Sequence, residues 1–283
     1  MPSFNKIFAA LALLASAPAA AQDYPVLEDA PDRPQLALMG TVPIYWGEAA
    51  DMDEVLRGEG HPHWARAVIE RHLHPVPLDY LSEESLAPYE MLLMAQPRGL
   101  TAEENVALDS WVRAGGRLLL FADPMMTGES RFGIGDRRRP QDVALLSPIL
   151  THWGLELWLD EQQGEGLTHV DPDRDNIPVN MAGSWVVAET NEDCATMRDR
   201  LIVRCQLGDG EAMLVADAAL LDLEGPHPGA LEAFVKLMRR IFPEFGDHAG
   251  MRVPERRESS GNDGNSIRIA LEASASGEAR SGF

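Results

Sequence analysis

Two aspartates close apolar runs in this chain. Asp123 follows Leu-Leu-Leu-Phe-Ala and Asp217 follows Met-Leu-Val-Ala. A carboxylate at the end of a buried strand can bind a cation, serve as a general acid or base, or accept hydrogen bonds from loop amides and arginine side chains. Glu48 is a third carboxylate for a hydrolase reading, which requires all three groups to converge. Arg131, Arg137, Arg138 and Arg139 follow Asp123 in a polar loop, 127–139, and offer a cradle for an anionic ligand or a docking surface for a protein. Asp136 and Asp142 flank those arginines and are placed to neutralise them. Tyr45 and Trp46 precede Glu48, where they either line a crevice or cap the core.

Other chemistries lack their residues. No Ser or Cys stands between glycines in the G-x-S-x-G or G-x-C-x-G pattern of a nucleophile elbow, so a hydrolase or amide transferase with such a nucleophile is disfavoured. Neither common glycine-rich phosphate loop occurs, and no cofactor is expected. Among eight histidines the closest pairs are His61 with His63 and His72 with His74, and neither has the helical spacing of a zinc protease. No metal site is expected. Cys194 and Cys205 are the only cysteines, so an exported chain would have one possible disulfide, the alternative being two separate buried thiols.

The elements that must position these groups follow from periodicity. Apolar runs at 35–39, 74–78, 89–95 and 118–122 read as strands, with helices at 62–73 and 101–114 between them. Thr101-Ala-Glu-Glu is a capping box, and Val106, Leu108, Trp111 and Val112 form that helix's apolar face. Such alternation predicts an α/β domain with a doubly wound, mostly parallel sheet, whose strand carboxyl ends face the binding crevice. Asp123, Asp217 and the arginine loop belong at that edge. Further on, 140–153 reads as a helix broken at Ser147-Pro148, 155–159 and 177–189 as strands, and 230–242 as a closing amphipathic helix. Residues 201–206 and 211–216 face each other across Gly208-Asp209-Gly210 as a C-terminal β-hairpin.

The two ends read differently. Residues 1–21 have the charged, apolar and small-residue regions of a signal peptide, 22–34 form an extended leader, 35–247 the domain, and 248–283 a tail too polar to offset the entropy of ordering. Export makes the chain periplasmic or secreted. No apolar run reaches the ~20 residues of a transmembrane helix. The formal net charge of −21 disfavours nucleic acid and anionic membrane surfaces as partners.

In order, a strand, a helix, GGRLLLFADP, a variable loop, a helix ending in WGLEL and a later GDGEAMLVADAALL resemble the GldG-like, ABC-transporter-auxiliary domains of bacteria. The resemblance spans 35–242 and concentrates in Ala122-Asp123-Pro124 and in the glycine turn leading to Asp217. It implies a flavodoxin-like fold, akin to class I glutamine amidotransferases, without a catalytic triad. It also implies a non-enzymatic accessory role in an ABC-type envelope complex, or binding of a small ligand. The combined expectation is a non-catalytic binding protein using Tyr45, Trp46, Glu48, Asp123, Arg131, Arg137, Arg138 and Asp217. A carboxylate-dependent hydrolase built on Asp123, Asp217 and Glu48 is the alternative.

Overall fold

A computed structural model of the chain describes residues 33–48, 63–171, 173–221 and 225–246. The expected signal peptide and tail, nearly all of the leader, and His61 lie outside the described residues.

The sheet that carries the domain has seven strands. They are β1 (Gln35–Gly40), β2 (His74–Pro77), β3 (Met91–Ala95), β4 (Arg117–Phe121), β9 (Cys194–Met197), β10 (Ile202–Leu207) and β11 (Gly210–Val215), in the order β2-β1-β3-β4-β11-β10-β9. The first five are mutually parallel, while β10 is antiparallel to both of its neighbours. All five residues of β3 are buried, as are Leu118 to Phe121 of β4, which is why these nine positions are apolar and show no alternation. The α/β class and the mostly parallel sheet therefore follow the sequence reading. The hairpin is no appendage, because its second strand is the fifth parallel strand of the sheet.

Five helices are described: α1 (Trp64–Ile69), α2 (Glu83–Leu86), α3 (Ala102–Arg113), α4 (Ser147–His152) and α5 (Ala230–Ile241). Helix α3 begins at the expected capping box, in which the Thr101 hydroxyl accepts from the Glu104 amide and the Glu104 carboxylate accepts from the Thr101 amide. That carboxylate also accepts from the Leu81 amide and both Arg98 Nη atoms. Burial pushes Glu104 up, but the Arg98 guanidinium and the two amides outweigh it and hold the carboxyl below its usual range. Helix α5 buries Ala230, Ala233, Phe234, Leu237, Met238 and Ile241 along one stripe and packs on β4 and β11.

Three expectations change. The helix expected over 140–153 exists only as α4, because the backbone of 141–144 bonds to the sheet edge instead of to its own preceding turn. Residues 155–159 do form a strand, β5 (Leu155–Leu159), and the strand expected over 177–189 is two: β7 (Ile177–Val179) and β8 (Gly183–Val187). Strand β5 pairs antiparallel with β8, and β6 (Thr168–Val170) with β7, in two small sheets outside the main one. Between β7 and β8 the backbone turns at Met181, whose φ is +57°, and that turn breaks the apparent single strand. Finally, Val106 is 66% exposed, whereas Leu108 and Val112 are buried, so the core face of α3 is narrower than its apolar pattern.

Cys194 and Cys205 form a disulfide. They stand directly opposite each other across β9 and β10, so the bond crosslinks the antiparallel edge of the main sheet.

Candidate functional site

The register of β4 and β11 brings the two aspartates together. Phe121 pairs with Val215, and Asp123 and Asp217 each follow two residues later, at the carboxyl ends of adjacent parallel strands. Both are 1% exposed. Each has both carboxylate oxygens engaged by backbone amides. Asp123 accepts from Met125 N at 2.8 Å and Ala218 N at 2.9 Å, and Asp217 from Asn180 N at 3.0 Å and Ala219 N at 2.7 Å. Asp123 thus ties the loop after its own strand to the loop after β11. Asp217 in turn holds the turn between β7 and β8 against the main sheet. Burial pushes the Asp123 carboxyl up to about 6 against the pull of its two amide bonds. Asp217 is raised well above the ordinary range, by burial and then by the neighbouring Asp123 charge.

The residue that organises this edge beside them is one the sequence reading did not single out. Gln96 follows β3 with φ +46° and is fully buried. Its Oε1 accepts from Asp123 N at 2.8 Å, while its Nε2 donates to Asp123 O at 3.0 Å and Gln141 O at 2.9 Å. The Thr41 hydroxyl donates to Gln96 O and accepts from Gln141 N. Gly40 is required here because a Cβ at that position would meet Ala95 O at 2.1 Å. The signal available in the sequence was a polar residue inserted between an apolar strand and Pro97, a position usually extended.

The other expected site residues are distributed around this lattice rather than within it. Glu48 accepts from the Ser130 hydroxyl and from Arg131 N at 3.1 Å, so its carboxylate is anchored to the loop by partners different from those of Asp123 and Asp217. Arg131 donates to the Glu48 carbonyl at 2.9 Å. Arg138 pairs with Asp136 at 2.7 Å and lies 4.1 Å over the Phe132 ring, and Arg139 pairs with Asp142 at 3.1 Å. The Asp136 carboxyl is drawn down to about 2 by hydrogen bonds from Arg138. Arg137 is exposed and has no ion pair among the described residues. It borders a hollow of about 340 Å³ together with Asp136, Arg139, Gln141, Asp142 and Leu145. Tyr45 is half-buried beneath the Arg66 guanidinium, 4.2 Å from its ring centre, and packs edge-on to Trp46. Trp46 itself is 57% exposed. Tyr45 therefore serves packing, and Trp46 is left facing outward.

Chemically, the buried edge is a closed polar lattice. No cluster of three or more His, Cys, Asp or Glu side chains able to hold a metal ion occurs among the described residues. No described helix is long and apolar enough to cross a membrane.

No family model matches this chain, and no curated protein does. Similar solved structures are distant. The exo-β-1,4-mannosidase Op5Man5 from Opitutaceae bacterium strain TAV5 is 15% identical over 74% of this chain and 36% of that one, with a TM-score of 0.43. A putative ThuA-like protein from Bacteroides uniformis is 12% identical over 81% and 99%, with a TM-score of 0.38. The cytoplasmic protein STM3548 from Salmonella typhimurium is 14% identical over 64% and 87%, also at 0.38. The chain spans about a third of the length of the glycosidases it is similar to. Likenesses at this level assign no activity. They do correct the resemblance drawn from the sequence: these neighbours include glycoside hydrolases and a putative ThuA-like protein, and nothing among them points to GldG-like or glutamine amidotransferase-like proteins. The motifs behind that resemblance, Ala122-Asp123-Pro124 and the glycine turn leading to Asp217, have a local explanation as anchors of loops at the ends of parallel strands. An ABC-type envelope complex rested on the same resemblance and has no other support.

Proposed function

We propose that this chain is a non-catalytic binding protein that meets an anionic ligand or partner group with the loop outside the carboxyl edge of its sheet, residues 125–145. The observation that carries this reading is the anchoring of Asp123 and Asp217: each of their four carboxylate oxygens accepts a backbone N–H from a neighbouring loop, an arrangement that suits holding those loops in place. Outside them, Arg137 offers an exposed guanidinium with no ion pair among the described residues, and Trp46 an exposed aromatic face. The strand order of the parallel portion, β2-β1-β3-β4-β11, agrees with a flavodoxin-like arrangement, in which ligands meet the carboxyl ends of the strands. The disulfide agrees with an oxidising compartment, and so with a periplasmic or secreted protein.

The test is calorimetric titration of the mature chain with uronate-bearing oligosaccharides and with short acidic peptides. One class should bind, and Arg137→Ala should weaken it about tenfold, the loss of one charge-assisted hydrogen bond. Binding unaffected by Arg137→Ala, or no binding by either class, removes the reading. The hydrolase alternative draws on one observation, the Asp123 carboxyl raised to about 6 beside a second aspartate, which suits a general acid. Turnover of chromogenic glycosides or esters that disappears in Asp123→Asn would establish it in place of the binding role.

A further inference from the structure

A second hollow lies away from the carboxyl edge, along helix α3. About 1000 Å³ in volume, it runs between α3 and the segment bearing α2 and ends at Gly115 and Gly116, beside the start of β4. Its walls include Leu86, Tyr89, Val106 and Trp111, with Trp111 Nε1 tied to Tyr89 O at 2.8 Å. Val106 stands here, a branched aliphatic side chain two-thirds exposed in the middle of a helix. Glu83, Glu90 and Glu103 rim the groove, and no lysine or arginine lines it. An apolar floor with an acidic rim fits an aliphatic segment that carries positive charge.

We propose that the groove is the docking site of this chain's own residues 266–271, Ser-Ile-Arg-Ile-Ala-Leu. The route of the chain supports this occupant. Glu244 grips Arg117 through two hydrogen bonds of 2.7 Å, and the same guanidinium reaches Glu90, on the groove rim, at 3.6 Å. The described chain ends two residues later, at Gly246. Gly246 and Ile267 are 21 positions apart, and an unstructured chain of that length has a root-mean-square span of roughly 25 Å and reaches much further when extended. Tethering of this kind gives the segment a local concentration on the order of millimolar, so modest contacts suffice to seat it. Ile267, Ile269 and Leu271 alternate with Arg268 and Ala270, which lets three aliphatic side chains enter one surface while Arg268 turns to the acidic rim.

The experiment uses the full-length chain with the photoreactive residue benzoylphenylalanine in place of Val106, an exposed position whose replacement leaves the core packing undisturbed. Irradiation of dilute protein followed by digestion and mass spectrometry should give a monomeric product in which position 106 is joined to residues 266–271. The triple variant Ile267→Asp, Ile269→Asp, Leu271→Asp should reduce that product at least tenfold. A crosslinked dimer makes a second copy the occupant and overturns the proposal. So does a monomer crosslinked elsewhere, a yield that the triple variant leaves intact, or the absence of any peptide crosslink.

Discussion

The carboxyl edge of the sheet and the flank of α3 differ in where their polar groups point. At the edge, Asp123, Asp217, Gln96 and Thr41 turn inward and spend their hydrogen bonds on neighbouring loops. Along α3 the sorting is reversed, with Val106 and Trp111 lining open space while Glu104 is buried and fully partnered. Residue type alone would rank the edge as the reactive place and the helix as inert cover. The hydrogen bonds show the edge to be a rigid frame and leave the helix flank as accessible apolar surface. A titratable group at a strand end becomes a candidate for chemistry only when some of its bonding capacity remains open.

If the edge is a frame, its most damaging substitution is Gln96→Ala. The change strands the buried Asp123 amide, frees the Gln141 carbonyl and opens a void, for a combined loss of about 3–4 kcal/mol. Urea denaturation should show that loss, and hydrogen exchange should speed up across residues 125–145 while α3 is unchanged. A loss under about 0.5 kcal/mol, within the range of ordinary surface changes, would falsify the frame and restore the edge as an adaptable site.

The antiparallel end of the sheet offers the next contrast, since it is held by a covalent bond. The Cys194–Cys205 link has a sequence separation of 11 and closes a short loop. Replacing both cysteines with alanine should cost about 2–3 kcal/mol on the loop-entropy relation. Reductant should lower the unfolding midpoint of the native chain and leave that of the double variant unmoved. Equal sensitivity of both would mean that the bond contributes nothing under the conditions measured.

How far all this was legible in the sequence depends on whether a feature is local. Thr101-Ala-Glu-Glu announced its capping box because donor and acceptor are three residues apart. The strands β3 and β4 announced themselves because burial on both faces demands unbroken apolar runs. Asp123 and Asp217 were located by the ends of such runs; of their partners, Met125 and Ala219 lie two residues on, but Ala218 and Asn180 belong to other loops and could not be read from the chain. Gln96 was missed for the same reason, its bonds reaching 27 and 45 residues along the chain. Asp175 is a further case, buried and paired with Arg198 at 2.5 Å and Arg240 at 2.8 Å, in a stretch without periodicity. Val106 was assigned to the core by its apolar type, and only the path of α2 decides what covers that side of α3.

The two kinds of buried carboxylate also separate by pH. Asp123, raised to about 6, binds its proton more tightly in the folded chain than in the unfolded one, and Asp217 shifts the same way. Their contribution to stability is therefore complete below an unfolded value near 4 and is lost as pH rises through 6, a change of about 2–3 kcal/mol for Asp123 alone. Asp175 has the opposite sign. Burial pushes it up, but Arg198 and Arg240 outweigh that and hold it below the usual range, so its contribution is lost as pH falls below about 4. Melting temperature should rise from pH 7.5 to about 5 and drop again below about 4. In Asp123→Asn the upper limb of that curve should flatten. A melting temperature that climbs steadily towards neutrality would place Asp123 in a wetter setting than the frame allows, and would also remove the raised carboxyl on which the acid–base reading rests.

The smallest effect on stability separates the two surfaces most directly. Ile134 is 90% exposed on the carboxyl-edge loop and Val106 66% exposed in the groove, so aspartate at either position removes little packing and should change unfolding free energy by no more than about 0.5 kcal/mol. Because folding is indifferent to both, a functional difference between the variants reports on contact alone. Ile134→Asp should weaken the anionic ligand of the loop through a new negative charge near Arg137, and leave α3 untouched. Val106→Asp should repel the apolar segment from the groove without altering that ligand's affinity. If each substitution disturbs both readouts, the edge and the groove act as one surface, and the contrast between a closed frame and an open flank no longer holds.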